Sequence, residues 1–240
     1  YTLLRLRLPI EGTPQENFPP LRFRFLSDSP AGSPVMTGHN EGVITINVAE
    51  ADDAERERRR VALHEPFRTL LGHLRHEIAH YYWNVLMANT SHLNRFRALF
   101  GDERCDYTSA LQNYYQQSAP ADWQSRHVSA YAAAHPWEDW AETSAHYLHI
   151  VDTVETAASF GLALKPKHPD AKAMTADPRK ALSGDGSFNR LLENWLPLTY
   201  ALNELNRGMG LPDLYPFVLS AVAIEKLQFV HDVLNVRANN

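Results

Sequence analysis

A chain of 240 residues, 44% of them hydrophobic, can bury a sizeable core as one large domain or two small ones. With 23 Lys and Arg against 28 Asp and Glu, its formal charge of -5 argues against a broad nucleic-acid surface, because phosphate binding needs concentrated cations. No run of about eighteen apolar residues offers a membrane span, no signal-like segment opens the chain, and the single Cys105 excludes an intrachain disulfide or a cysteine-rich zinc site within it. A cytoplasmic protein with neither nucleic acid nor membrane as a partner is therefore expected. Cys105 has no activating neighbours in sequence and is expected to be inert.

The alternation over Leu3 to Leu8 and over Leu21 to Leu26 predicts two half-buried strands, with Pro19-Pro20 between them. Val35-Met36-Thr37 and Val43 to Val48 then predict two more strands, joined through Gly38-His39-Asn40-Glu41-Gly42 as a hairpin turn. From Ala51 the period becomes helical. The run Asp52 to Leu63 reads as a solvated helix laced with its own ion pairs, and Pro66 to Met87 as a second helix. Further helices are predicted over His92 to Phe100, Tyr107 to Gln117, Pro136 to Ala158, Phe188 to Arg207 and Pro216 to Leu234. Between Gly161 and Gly186, three prolines and three glycines predict a long connection or lid. The result is an α+β chain, a small sheet over about 1–50 followed by a mainly helical body over about 51–240, read as a single domain.

The second of these helices carries His76-Glu77-Ile78-Ala79-His80, the H-E-x-x-H spacing of zinc hydrolases. With 12 His and 15 Glu in the chain, chance supplies such a match only about 0.04 times. On a helix His76 and His80 stand one turn apart and can share a metal, while Glu77 reaches a water beside it. At about 100° per residue, Leu70, Leu74, Ile78, Tyr81 and Val85 form a stripe for the core. His73, His76, His80 and Trp83 take the opposite side. His64-Glu65 lacks the second histidine, since Arg68 stands there.

Two histidines leave a catalytic zinc site one protein ligand short. The third is expected from the helix opening behind His135-Pro136, where Glu138, Glu142 and His149 share one side and Trp137, Trp140, Tyr147 and Leu148 the other. Glu138 is assigned as ligand and Glu142 as the carboxylate that fixes a ligand imidazole, the reverse order being the alternative. Asp139 lies off that face. His73 is expected to be structural or to form a wall of the cleft, His146 and His149 to pack or to bond Glu142, and His39 to approach the cleft edge. Tyr81, Tyr82 and Trp83 are expected in the core.

The stretches Thr37-Gly38-His39-Asn40 with Gly42-Val43-Ile44, Glu50-Ala51-Asp52, Arg68 to His73 running into Arg75-His76-Glu77 and His80-Tyr81-Tyr82-Trp83, and His135 to Asp139 with Ala141-Glu142 and Ala145 to His149 resemble the bacterial family of putative zinc-binding metallopeptidases. The resemblance covers most of the chain. It implies a zincin-like fold, a catalytic domain without the N-terminal zinc-ribbon that members often carry, and a Zn2+ cofactor. It also supports Glu138 before Glu142, since Glu-x-x-Ala-Glu is similar to the second-helix pattern of Glu-ligand zincins. In the anthrax lethal factor group a tyrosine seven residues before the ligand glutamate assists catalysis, and Tyr131 matches that position. The 57 residues between His80 and Glu138 are more than compact zincins carry, which implies an insertion over the cleft. The expected reaction is hydrolysis of a peptide bond in a peptide or protein substrate. Zn2+ on His76, His80 and Glu138 would activate water and carbonyl, Glu77 would move the proton, and Tyr131 would steady the oxyanion. A non-proteolytic zinc amidase, or a binding or scaffold protein with a vestigial zinc site, are the alternatives.

Overall fold

A computed structural model describes residues 1–11, 19–28, 35–62, 69–87, 90–167, 169–182 and 186–235. Its contacts divide the chain into two compact units, Tyr1–Ala145 with Val218–Asn240, and His146–Phe217. The α+β reading holds, since a three-stranded sheet is followed by helices over the rest of the chain.

In the first unit, β1 (Arg22–Leu26), β2 (Gly38–Asn40) and β3 (Val43–Asn47) form a sheet in the order β1-β3-β2, with β1 parallel and β2 antiparallel to β3. The hairpin exists but starts three residues later than expected. Val35-Met36-Thr37 lies outside the strand, and the turn is the two residues Glu41 and Gly42, both at positive φ (45° and 81°), the backbone that matches strand twist in a tight hairpin. Ile44 and Ile46 of β3 are buried, whereas β1 is exposed along its whole length. Its alternation therefore reflects an edge position and not a half-buried face. Leu3 to Leu8 is a second departure, because Thr2–Arg5 forms a short helix, α1, followed by a turn with Arg7 at φ 52°. The buried side chains there are Leu6 and Leu8, outside the helix, a spacing of two that mimics a strand.

Helix α2 (Asp53–Ala62) is the charged segment, and its Arg58–Glu55, Arg59–Glu55 and Arg60–Glu57 pairs are the expected internal ion pairs. Helix α3 (Leu70–Tyr82) packs against β2 and β3, and passes into a π-turn over Trp83–Met87. It is described from Leu70, where Thr69 accepts the Gly72 N–H at 2.9 Å as N-cap; the expected start at Pro66 lies outside the described residues. Of the expected stripe, Ile78, Tyr81 and Val85 are buried in the core while Leu70 and Leu74 are half-buried, and Tyr82 beside the stripe is buried as well. Helices α4 (His92–Phe100) and α5 (Tyr107–Gln117) have the expected bounds, and α4 packs on α9 (Ala221–Asn235). The core here is aromatic, with Phe96, Phe100, Trp140 and Phe229 ring against ring.

Helix α6 (Pro136–Ser159) begins in the first unit and ends in the second. In the second unit Ile150 and Val154 of α6 are buried, as are Phe188, Leu191, Trp195 and Leu198 of α8 (Phe188–Gly208). The expected long connection instead holds a bridge pairing Leu164 with Ala176, a 3-10 segment Pro169–Met174 and α7 (Pro178–Leu182). Pro178 occupies the first turn of α7, a position that suits proline as well as a break does. No helix of the described residues is long and apolar enough to cross a membrane.

Candidate metal centre

Two helices meet at the centre, and each is fixed locally before they meet. On α3, the i,i+4 spacing puts the buried His76 and His80 on one face. On α6, His135 caps the first turn: its Nδ1 accepts the Trp137 N–H at 3.1 Å, so the ring proton sits on Nε2, which donates to the Cys105 carbonyl at 3.2 Å. Pro136 follows in the first turn, where its missing N–H costs nothing. Trp140, fully buried, donates its indole N–H to the Ala79 carbonyl at 2.9 Å and ties α6 to the middle of the His-Glu motif.

The junction brings together His76 Nε2, His80 Nε2 and Glu138 Oε2. The two nitrogens are 3.1 Å apart, and the carboxylate oxygen lies 3.0 Å from the first and 3.5 Å from the second. Ligand atoms each about 2.0–2.2 Å from a tetrahedral zinc stand roughly 3.3 Å from one another, so the spacing fits that ion. The side-chain chemistry fits as well. Glu138 is 1% exposed, and its Oε2, despite its nearness to His76, makes no well-aligned hydrogen bond. Three atoms of the kind that ligate metals thus converge on one point where a cation could bind all of them. This is the group among the described residues whose donors could hold a metal ion.

Around these atoms stand the groups that aim them. Glu142 Oε1 receives the His76 Nδ1–H at 2.7 Å, which leaves the Nε2 lone pair directed at the centre, and its Oε2 accepts the Ser129 hydroxyl at 2.6 Å. Tyr107 donates its hydroxyl to Glu138 Oε1 at 2.6 Å. Burial acts to lower the pKa of His76, but Glu138 and Glu142 outweigh it and hold the ring well above its ordinary value. Burial likewise acts to raise that of Glu138, and His76 with His80 overcome it, keeping the carboxyl far below the usual range. The two shifts are one attraction seen from its two ends, and a cation at Nε2 would take the place of the proton held there. Asp139, off the face as expected, is buried against Lys226 of α9: Nζ donates to Oδ2 at 2.5 Å and to the Arg126 carbonyl at 2.7 Å. Burial pushes the Asp139 carboxyl up to about 7, against the pull of Lys226.

Glu77, half-buried, has no hydrogen bond or ion pair among the described residues; burial, and after it Glu138, push the Tyr107 phenol up, and the Glu77 charge adds to that shift. The Tyr131 ring lies 5.9 Å from that of His76, and burial followed by the Glu138 charge raises its phenol strongly. Trp137 departs from expectation: it turns from the core toward the centre, its ring 4.7 Å from His80, 5.7 Å from Tyr107 and 6.1 Å from Trp83. Only 100° separates it from Glu138 on α6, so it flanks the carboxylate and does not oppose it. Tyr81 and Tyr82 are core, while Trp83 is half-buried in that aromatic wall.

His39 sits in β2, with its Nε2 accepting the Gly42 N–H at 3.1 Å and its ring against Tyr81. Burial, then the nearby His80, pushes its pKa down to about 4, so the ring stays neutral as an acceptor must. His73 Nδ1 faces Glu50 Oε2 at 2.5 Å, apart from the three-donor group. In the second unit His146 meets the Tyr215 hydroxyl at 2.6 Å and packs on Phe217, the packing role expected of it, with His149 beside it. Cys105 is exposed. Sequence reasoning missed Glu50, Tyr107, Ser129 and Lys226. None of them stands at a motif spacing from the residue it supports.

A protein of Mycobacterium bovis and one of Mycobacterium tuberculosis, each titled an uncharacterized protein, are 50% identical to this chain over 234 residues. The match takes in 97% of this chain and 65% of each relative, so the chain spans about 65% of the length of the curated relatives it matches. No solved structure matches it. A family profile described as "Putative zinc-binding metallo-peptidase" matches residues 1–233, a span that carries both helices of the donor cluster. It is to this family that the chain belongs.

Proposed function

We propose that the protein is a zinc-dependent peptidase of zincin-like architecture, with His76, His80 and Glu138 as ligands. The observation that carries this reading is the convergence of three buried ligand-type atoms 3.0–3.5 Å apart, with the Glu77 carboxylate, unengaged among the described residues, next to His76 on the same helix. A zinc ion held there would supply Lewis acidity for the scissile carbonyl and would lower the pKa of the attacking water. Glu77 takes the proton from the attacking water and gives one to the leaving nitrogen, a task that suits a carboxylate with no competing partner. Glu142 and Ser129 keep the His76 tautomer, and Tyr107 keeps Glu138 turned inward. Tyr131 donates its hydroxyl to the developing oxyanion, a phenol being protonated at neutral pH.

The test is hydrolysis of a peptide library by the zinc-loaded protein and by Glu77→Gln. The variant is expected to keep one zinc per chain while its turnover falls by about 10²–10⁴-fold. Undiminished turnover with metal bound removes Glu77 from the reaction. Tyr131→Phe is expected to retain zinc and lose about 10²-fold in kcat. A wild type that binds zinc and leaves the library intact favours an amidase or a dedicated protein partner.

A further inference from the structure

A second carboxylate–imidazole pair lies one helical turn from the first. Glu50, on the short turn Val48–Ala51, is 2% exposed. Its Oε1 accepts the Thr37 hydroxyl at 2.7 Å and lies 3.8 Å from Arg59 Nη1, and its Oε2 faces His73 Nδ1 at 2.5 Å. With the Thr37 hydroxyl donating to it and the Arg59 guanidinium near enough to favour its charge, the carboxylate is the acceptor, so His73 carries its proton on Nδ1. In the neutral ring Nε2 is then left as a hydrogen-bond acceptor. That nitrogen has no partner among the described residues, and the side chain is 26% exposed. His73 stands three residues before His76 and four before Glu77, so at 100° per residue it falls between them on the metal-bearing face of α3. A staple between the sheet side and α3 accounts for Nδ1. It gives no reason for an accepting Nε2 beside Glu77.

We propose that Glu50 and His73 anchor the substrate: Nε2 accepts an N–H of the bound peptide next to the scissile bond, and Glu50 is the positioning residue that fixes the tautomer. This rests on the peptidase reading above. The N–H belongs either to a main-chain amide or to a terminal amine, and the two are separable.

The test uses the zinc-loaded protein and calorimetric affinities for acetohydroxamate, which reaches the metal alone, and for peptidyl hydroxamates extended by two residues to either side of the zinc-binding group. His73→Asn, whose amide can still donate to Glu50, is expected to keep its zinc content, melting temperature and acetohydroxamate affinity. It should bind one of the peptidyl probes about tenfold more weakly. N-methylation of the amide that meets Nε2 should cost the wild type the same factor and the variant nothing further. Tighter binding of a free α-amine than of its acetylated form assigns the N–H to a chain terminus, and equal binding assigns it to the main chain. Glu50→Gln can offer its amide N–H to Nδ1 and so move the ring proton to Nε2. Ring 15N shifts should report that exchange together with the same loss of peptidyl affinity. Unchanged affinity of His73→Asn for both peptidyl probes overturns the anchoring role, as do peptidyl probes that bind the wild type no better than acetohydroxamate. Failure of the wild type to bind zinc or acetohydroxamate removes the peptidase reading itself.

Discussion

Glu142 is the side chain through which the centre is aimed, because one carboxylate both fixes the His76 tautomer and is itself held by Ser129. Glu142→Ala should therefore weaken zinc binding by about 10–100-fold without removing a ligand, as read by competition with a chromophoric chelator. Tyr107→Phe, which frees Glu138 Oε1 but leaves Oε2 in place, should cost on the order of tenfold in the same assay. Wild-type affinity in both variants would mean that backbone packing alone orients the ligands. The donors themselves were legible in the sequence, since His76 with His80, and Glu138 with Glu142, each need only the four-residue spacing of a helix. The residues that aim them were not. Tyr107 reaches Glu138 across 31 residues and Glu50 reaches His73 across 23, and no local period carries such pairings. Trp137 was misplaced for a related reason: a helical wheel gives an angle, and 100° from a ligand is flank or core according to what packs there.

At the scale of elements, the first turn of α6 is held from two sides. Trp140 ties it to α3, and the buried Asp139–Lys226 pair ties it to α9. Lys226→Met should cost about 3–5 kcal/mol in urea unfolding at pH 9, where the Asp139 carboxyl is ionised in the wild type, because it leaves that group buried without its counter-charge. Adding Asp139→Leu should recover most of that loss, since two apolar side chains replace the pair with little penalty. A single variant as stable as wild type would show that the pair does not hold the helices together. Elements whose apolar spacing extended over several turns were readable, as α4, α5 and α8 were. The misreadings fall where few residues carry the signal. Over Leu3 to Leu8 two buried leucines, at 6 and 8, sit at strand spacing beyond a single-turn helix. In the hairpin, Gly42 at φ 81° decides the register: a Cβ there would come within 2.9 Å of the Pro20 carbonyl oxygen, a contact between segments that composition does not announce.

For the molecule as a whole, the Asp139–Lys226 tie has a consequence for acid stability through His127, which lies 3.7 Å from Asp139 and close to the ammonium of Lys226. Burial, and after it the Lys226 charge, pushes the His127 pKa down to about 4, while in the unfolded chain the ring titrates near 6.5. Between those values the unfolded state binds more protons than the folded one, so stability rises with pH. The contribution is complete above about 6.5, declines as the pH falls below it, and is gone near 4. Its full size is on the order of 2–3 kcal/mol for a side chain 21% exposed. His127→Gln should therefore flatten the acid limb of stability between pH 6.5 and 4.5 while leaving the value at pH 8 within about 1 kcal/mol of wild type. The comparison belongs to chelated protein, so that protons competing with metal at His76 and His80 do not enter. Parallel acid limbs in wild type and variant would mean that His127 charges as easily folded as unfolded, and that Asp139 offsets the repulsion of Lys226 at that site.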